Sequence, residues 1–402
     1  MDTRFSIQGS RFLQTSADGH SGWSEDSLHL QGALISGTGN KGFSSALGQQ
    51  TFDADGLLAL PGLVDIHGDA FERQLQPRPA TSFPYDIAFA DTDRQLISNG
   101  ITTACHGVTF SWEGGLRGRE AALASFEQLK SQKDRFHADH RLHLRFENHH
   151  LDGLGEALNW IASGSIAFFA FNEHLPSILK KSASPEKLLS YAERARCDVA
   201  TFLERLHKAQ SRSTKVAQAI QQLAQACREH GIPMASHDDE SRSDRERYQA
   251  LGVTISEFPK TEEALLAAHA LDNHVVMGAP NILLGGSHCG GLSAADAVRR
   301  GLCDILASDY YYPALLHAPF RLEQEAACSL EQAWQLVSHH PAQVLGLHDR
   351  GQIKPGYRAD LILIEKLADG SPRLIATIAA GKLVFCAEPE RLSGQRPLEL
   401  AA

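Results

Sequence analysis

His67, Gly68 and Asp69 end a short apolar run and could hold a metal ion. The run, residues 62–66, follows Pro61 and is typical of a strand buried on both faces. Because residues i and i+2 of a strand point the same way, the imidazole and the carboxylate would leave the strand end together, as a divalent metal requires. The histidine and aspartate of an isolated His-x-Asp triplet are more often polar surface residues, so the rest of the chain must decide whether this triplet binds a metal.

The segments that would position these side chains alternate between apolar runs and helical patterns from residue 60 to about 340, which is typical of βα units and a parallel sheet. One long helical stretch is predicted over 185–230. Eight candidate strands can be counted, the number that a closed barrel requires. They are 62–66, 101–106, 141–147, 165–171, 232–237, 252–256, 274–278 and 304–308.

Residues of metal-ligand type recur just past the ends of these runs, where a barrel places its active site. The residues at these ends are His67, Asp69, His106, Glu147, His174, His237, Glu257, Asn281 and Asp309. Each has a plainer interpretation: for example, His106 could be a core histidine and Asp309 a helix cap. The set that we predict to bind metal is His67, Asp69, Glu147, His174, His237 and Asp309.

This mixture of oxygen and nitrogen ligands fits one or two divalent ions, zinc first and manganese or iron as alternatives, better than magnesium alone. A metal lowers the pKa of a bound water toward neutrality, and Asp309 is predicted to take its proton as general base. Asp238 and Asp239 could hold the ring of His237 in place.

Composition excludes several other classes of protein. The chain has 402 residues, 43% of them hydrophobic, and a formal net charge of −10, which disfavours nucleic-acid binding. The seven cysteines are scattered without a CxxC pair, which indicates reduced thiols. Neither a signal peptide nor a membrane helix is predicted, so we expect a cytoplasmic protein, with a homodimer as the common default.

Two segments, LPGLVDIH at 60–67 and GQIKPGYRADLILIE at 351–365, resemble the amidohydrolase superfamily of metal-dependent hydrolases. The stretches GLVDIHGDAFERQLQPRP, HLRFENHH, MASHDDES, GVTISEFPKT, VVMGAPNILLGGSHCGG and DILASDYYYPALLHA are similar to its phosphonate metabolism protein M family. The resemblance implies an α/β fold, a (β/α)8 TIM-like barrel at 60–344. It also implies a small β-sandwich built from both chain termini, 1–59 and 345–402.

The same resemblance implies hydrolysis of a ribosyl 5-triphosphate with release of pyrophosphate, so the expected partner is a small phosphorylated sugar. Such a substrate needs positive charge or backbone N–H groups around its phosphates. Lys260 and Arg78 are candidates, although each could be a solvated surface charge. The glycine-rich loop 285–291 supplies the others, Gly285, Gly286, Ser287 and His288.

The chain departs from the family pattern at the presumed substrate mouth. Where the pattern has Asp-His-Thr-Pro-Gly-Gln, this chain has Glu173 to Ile178, EHLPSI, and an HLTPRP-like stretch is replaced by QLQPRP at 74–79. Metal chemistry therefore carries over better than substrate identity. Two alternatives stay open: hydrolysis of a C–N bond in an N-acyl or cyclic amide, and a non-catalytic scaffold relative.

Replacing Asp309 by Asn should lower kcat by about 10²-fold or more while the fold is kept, because the amide cannot accept the proton of the attacking water. Steady-state kinetics test this expectation, with the far-UV circular dichroism spectrum as the control for folding. Unchanged turnover would remove Asp309 from the mechanism.

Overall fold

The computed structural model describes residues 4–15, 21–39, 50–78, 81–286 and 292–393. Three sheets make up its β-structure. The strands are β1 Arg4–Gln8, β2 Arg11–Thr15, β3 Ser21–Glu25, β4 Leu28–Gln31, β5 Leu34–Thr38, β6 Gln50–Asp53, β7 Leu58–Pro61, β8 Leu63–Gly68, β9 Ile101–Phe110, β10 Asp139–Glu147, β11 Phe168–Asn172, β12 Met234–His237, β13 Ile255–Glu257, β14 His274–Gly278, β15 Ile305–Ala307, β16 Leu361–Lys366, β17 Pro372–Ala379, β18 Lys382–Cys386 and β19 Leu392–Ser393.

Helices follow most of the barrel strands and cover the outside of the sheet. They are α1 Glu72–Leu75, α2 Tyr85–Ser98, α3 Arg119–Ser131, α4 Leu154–Ala162, α5 Leu175–Lys181, α6 Pro185–Arg194, α7 Val199–Ser211, α8 Val216–Glu229, α9 Arg242–Gln249, α10 Glu262–Ala270, α11 Ala279–Leu283, α12 Ala294–Arg299, α13 Pro313–Gln324, α14 Leu330–Gln335 and α15 His339–Val344. Several begin at a side-chain cap; Ser241, for example, starts α9 with a reciprocal capping box to Asp244.

Strands β8 to β15 form one eight-stranded sheet in sequence order, with parallel pairing throughout. Its two edges meet where Gly68 bridges Asp309: the Asp309 N–H donates to the His67 carbonyl at 3.0 Å, and the Asp69 N–H donates to the Asp309 carbonyl at 2.9 Å. Beside this bridge, the Asp65 carboxylate accepts from the backbone N–H of Ser308 at 3.0 Å. The predicted barrel is confirmed.

The two remaining sheets contain strands from both ends of the chain, as the predicted sandwich requires. One has the order β19-β6-β1-β4-β5, and the other has the order β18-β17-β16-β7-β2-β3. Phe12, Phe52, Leu361 and Ile375, all fully buried, lie in the shared core between them. The fold class is therefore the expected one, a barrel with a small terminal β-sandwich.

Some predicted elements differ in extent. The fourth and sixth barrel strands begin three residues later than predicted, at Phe168 and Ile255, because their apolar runs also include residues that pack before the sheet starts. The helical stretch predicted over 185–230 is three helices, α6 to α8, since the chain turns at Arg196 with a positive φ of 55° and again through a short turn at residues 213–215.

The interior of the barrel is apolar at its base, with Val64, Ile66, Phe168 and Val276 in one buried cluster. This packing leaves polar chemistry to the carboxyl ends of the strands. Within the ranges described, no helix combines the length and the apolar character needed to cross a membrane.

One charged pair is buried in the wall of the barrel. Arg245 on α9 is fully buried and lies 3.1 Å from the Asp239 carboxylate, which is also buried. Its guanidinium donates in addition to the Val253 carbonyl at 3.3 Å and contacts Asn273. A buried carboxylate that loses such a partner keeps its desolvation cost without compensation.

We therefore expect Arg245→Met to destabilise the protein by about 3–5 kcal/mol, since the buried Asp239 would lose its charged partner and keep only the hydroxyls of Ser236 and Ser256. Arg242→Met, on the same helix but with its side chain 55% exposed, should change stability by less than about 0.5 kcal/mol. Urea unfolding followed by tryptophan fluorescence compares the two variants. Equal midpoints would mean that the buried pair does not stabilise the fold.

Candidate active site

The closure of the barrel places His67, Asp69 and Asp309 in one group. One ligand atom of each lies within 4.8 Å of those of the other two. Gly68, between the first two, has no room for a side chain, because a Cβ there would lie 2.6 Å from the Asp65 carboxylate and 3.0 Å from the Ser308 hydroxyl. The glycine is therefore required by the close approach of β8 and β15.

Strand β10 directs three polar residues into the same space. His143, Arg145 and Glu147 alternate along the strand and so share one face. Arg145 lies against the group at the closure, since its Nη1 donates to Asp69 Oδ2 at 3.2 Å and its Nη2 donates to His237 Nε2 at 3.0 Å. At the end of the strand, Glu147 accepts from the backbone N–H of His174 and lies 3.1 Å from its Nδ1.

Glu257 orients two of the histidines. Its two oxygens lie 3.0 Å from His67 Nδ1 and 3.3 Å from His237 Nδ1. A carboxylate accepts at these nitrogens, so both imidazoles carry their proton on Nδ1 and keep a lone pair on Nε2. This is the tautomer that leaves Nε2 able to bind a metal.

Backbone strain is concentrated at the same strand ends. Asp238, Phe258 and Asp309 have φ values of 66°, 53° and 55°, respectively, in the left-handed region. These residues follow β12, β13 and β15 almost directly. Strain of this kind is commonly stored where side chains must be held for function.

Burial sets the protonation of the cluster. It lowers the pKa of His67, His143 and His237 well below the ordinary value, with the Arg145 charge acting in the same direction. Burial raises the pKa of Asp309 to about 7, with a further increase from the nearby Asp69 charge. The pKa of Asp69 is raised for the same first reason, although Arg145 opposes it.

The residues present fit a divalent cation. Three groups of potential ligands overlap, because His67 belongs to two of them and His237 to two; the groups are His67 with Asp69 and Asp309, His67 with His237 and Glu257, and His174 with His237 and Asp238. Both ring nitrogens of His143 are also buried without a hydrogen-bond partner. Buried imidazoles and carboxylates, among them Asp69 and Asp309 with raised pKa values, form a donor set that a cation would stabilise.

The structure brings the predicted ligands together. Five of the six lie in the overlapping groups, and the sixth, Glu147, contacts one of the five, His174. His106 lies elsewhere: it packs between Phe71 and Phe89, and its Nε2 is 2.9 Å from His140 Nδ1. It is a core histidine, which was the plainer interpretation.

The predicted substrate-binding residues are placed less uniformly. Lys260 lies beside the cluster, with its Nζ 3.3 Å from Asp238 Oδ2. Arg78 is exposed and donates to Thr81 Oγ1 at 3.3 Å. Gly285 and Gly286 follow α11 with positive φ values of 74° and 149°, whereas Ser287 and His288 lie outside the described residues.

Sequence reasoning missed the roles of His143, Arg145 and Glu257. Glu257 stood at a predicted strand end but was left out of the ligand set. The signal for the other two was the alternation along 141–147, which places both on the face of Glu147. An arginine among metal ligands is not expected from residue type alone, because its charge opposes that of a cation.

A parallel barrel with a buried His, Asp and Glu cluster at the carboxyl ends of its strands defines a hydrolase of the metal-dependent barrel class. The model of the Amidohydrolase family matches residues 58–384. The chain belongs to this family.

One relative is the alpha-D-ribose 1-methylphosphonate 5-triphosphate diphosphatase of Escherichia coli (strain K12). It is 34% identical over 344 residues, which cover 84% of this chain and 90% of the relative. The resemblance inferred from the motifs is therefore confirmed.

Solved structures share the fold at low sequence identity. A triazine hydrolase variant has a TM-score of 0.63 and 14% identity, over 96% of this chain and 95% of its own. A Xaa-Pro dipeptidase has a TM-score of 0.62 and 15% identity, over 95% of this chain and 99% of its own. At this identity the likeness concerns the fold alone.

The raised pKa of Asp309 predicts how metal-free protein responds to pH. The folded chain holds a proton that the unfolded chain releases near the ordinary pKa of 3.8, so this contribution to stability is present at low pH and is lost as the pH rises toward about 7. In Asp309→Asn the contribution does not titrate. The melting temperature of the variant should therefore increase relative to that of the wild type as the pH is raised from about 5 to about 8.

Thermal unfolding of both proteins in the presence of a chelator tests this expectation. The comparison cancels the titration of the histidines, which is common to both chains. A difference in melting temperature that stays constant across the pH range would contradict the raised pKa.

Proposed function

We propose that the protein is a metal-dependent diphosphatase that cleaves the triphosphate of a ribosyl 1-phosphonate 5-triphosphate and releases pyrophosphate in phosphonate catabolism. The single observation that carries the proposal is the cluster at the barrel closure, in a chain that is 34% identical to a diphosphatase named for this substrate. Retention of the whole cluster argues against a non-catalytic scaffold.

In this reaction water adds to the α-phosphorus. The bond from that phosphorus to the oxygen bridging the β-phosphorus breaks, and the electron pair leaves on pyrophosphate. The sugar keeps a 5-phosphate, and one proton of the water is released. Developing negative charge on the leaving group and on the equatorial oxygens must be met by fixed positive charge.

The proposed ligands are His67, Asp69, Glu147, His174, His237 and Asp309. They would hold one or two divalent ions, zinc or alternatively manganese or iron, which supply positive charge and a lower pKa for water. Asp309 would accept the proton of the attacking water. Glu257 keeps the Nδ1 protons of His67 and His237 in place, so that both Nε2 atoms face the site.

Arg145 and Lys260 are cations in contact with residues of the cluster. The Arg145 guanidinium reaches Asp69 and His237, so it can donate to a phosphate oxygen that approaches the same ligands. Lys260 lies beside Asp238 and could turn toward a phosphate as a point charge. Arg78, Gly285, Gly286, Ser287 and His288 remain proposed substrate contacts from the sequence.

The proposal predicts that metal-loaded protein releases pyrophosphate from ribosyl 1-phosphonate 5-triphosphate. A coupled pyrophosphate assay, with metal content quantified, compares this compound with nucleoside triphosphates, and an amine-release assay follows N-acyl amino acids in parallel. Chelation should abolish release, and added zinc, manganese or iron should restore it, because the cluster needs a cation to act. Hydrolysis of an amide alone would replace the proposal with C–N chemistry.

A matched pair of variants tests whether the cluster is responsible. His174→Ala should lose about 10²-fold or more in kcat together with bound metal, since one ligand is removed. His274→Ala makes the same change at the exposed start of β14, the opposite end of the barrel, and should keep full activity. Equal activities would show that His174 is not part of the site.

A further inference from the structure

A second feature opens on the same face of the barrel, a cavity of about 700 Å³ between the loops that follow β9 and β10 and the helices α3 and α7. Its volume lies within the range of small-molecule sites. None of the residues in the proposed metal set lines it. The metal chemistry therefore leaves this cavity unexplained.

The cavity is positively charged, although the whole chain carries a formal net charge of −10. Among the residues that the structure describes, only two of its lining side chains are carboxylates, Glu120 and Asp152. Even if Glu156, which pairs with Arg119 at 2.6 Å, is added, five cations face three carboxylates. The five cations are Arg119, Arg196, Arg205, Lys208 and Arg212.

Among the residues described, two of these guanidiniums donate only to neutral groups. Arg205 Nη1 donates to the Glu113 carbonyl at 2.8 Å, and Arg196 Nη2 donates to Gln76 Oε1 and Ser82 Oγ at 2.7 Å each. Neither has a carboxylate within ion-pair distance in that part of the chain. An arginine held in this way keeps its charge available to an anion.

A glycine-rich turn forms the wall beside Arg205. Gly114 has a φ of 100°, and a Cβ at this position would overlap the Arg205 guanidinium. A Cβ at Gly115 would likewise meet the backbone carbonyl of Arg194. The glycines are thus required for the close approach of α6 and α7 to the turn, which sets the position of the cation.

Two histidines that line the cavity have buried ring nitrogens without partners. His149 and His150 are each 8% exposed, and each has a ring nitrogen with no hydrogen-bond partner, Nδ1 and Nε2 respectively. Such atoms carry a desolvation cost unless a ligand or water satisfies them. They are a second, independent indication of a polar ligand.

The cavity adjoins the metal cluster. His149 Nε2 lies 3.9 Å from the carboxylate of Glu173, the residue before His174. Arg117, in the same β9 loop, lowers the pKa of Asp69 through its charge. A ligand that spans both places would present one end to the cluster and the other to the cavity.

We propose that this cavity binds the β- and γ-phosphates of the substrate and retains pyrophosphate after cleavage. The proposal rests on the proposed function and names the part of its substrate that the cavity recognises. The α-phosphorus then faces the cluster, while the leaving group is already surrounded by guanidiniums. Arginine suits this task because its planar group donates to two phosphate oxygens at once.

The test is calorimetric titration of inorganic pyrophosphate and of orthophosphate into the metal-free protein, so that the metal site cannot bind either anion. Wild type should bind pyrophosphate more tightly than orthophosphate. Arg205→Met should weaken pyrophosphate binding by about tenfold, the loss expected for one charge-assisted contact. Lys208→Met changes an exposed side chain, cannot disturb the turn and should weaken binding by a smaller factor.

Arg321→Met is the matched control, because Arg321 is 48% exposed on α13 and does not line the cavity. In the metal-loaded enzyme, KM for the triphosphate and the inhibition constant of pyrophosphate should rise together in Arg205→Met and stay unchanged in Arg321→Met. If the enzyme turns over the substrate but pyrophosphate binding is unaffected in both Arg205→Met and Lys208→Met, this inference is overturned and the proposed function is kept. Specific pyrophosphate binding without turnover of any triphosphate would instead contradict the proposed function and leave the anion site standing.

Discussion

Closure of the barrel between β8 and β15 is the constraint on which the site depends. Two backbone hydrogen bonds join His67 and Asp69 to Asp309, residues separated by about 240 positions in the chain. The contact leaves no space for a side chain at Gly68. The same bonds that complete the sheet therefore bring three potential ligands together, and folding and site assembly are one event.

Electrostatics then give the cluster its chemical character. Burial lowers the pKa of His67 and of His237, and it raises the pKa of Asp69 and that of Asp309, the latter to about 7. Arg145 on β10 and Glu257 on β13 hold ligand side chains in place. The basic cavity beside the cluster extends this arrangement, because a polyanionic substrate would be neutralised along its length rather than at one point.

The fold was predictable from the sequence because it rests on patterns with a direct physical meaning. Apolar runs of strand length, alternating with helices, indicate eight parallel strands, and the strand ends mark one face. Boundaries were less certain, since residues before Phe168 and Ile255 are apolar without being in the sheet. The break between α6 and α7 depends on a backbone turn at Arg196 that no apolar pattern reports.

The sequence by itself determined the barrel and the residue types at the strand ends, because hydrophobic periodicity and strand direction are local properties. The terminal sandwich followed from the resemblance to the family. Only the tertiary structure decided which of those residues meet. Glu257 joins His67 to His237, and Arg145 enters the cluster. His106 packs away from it, although in the sequence it looks like the other histidines at strand ends. Distances between strands depend on closure and packing, which no single segment encodes.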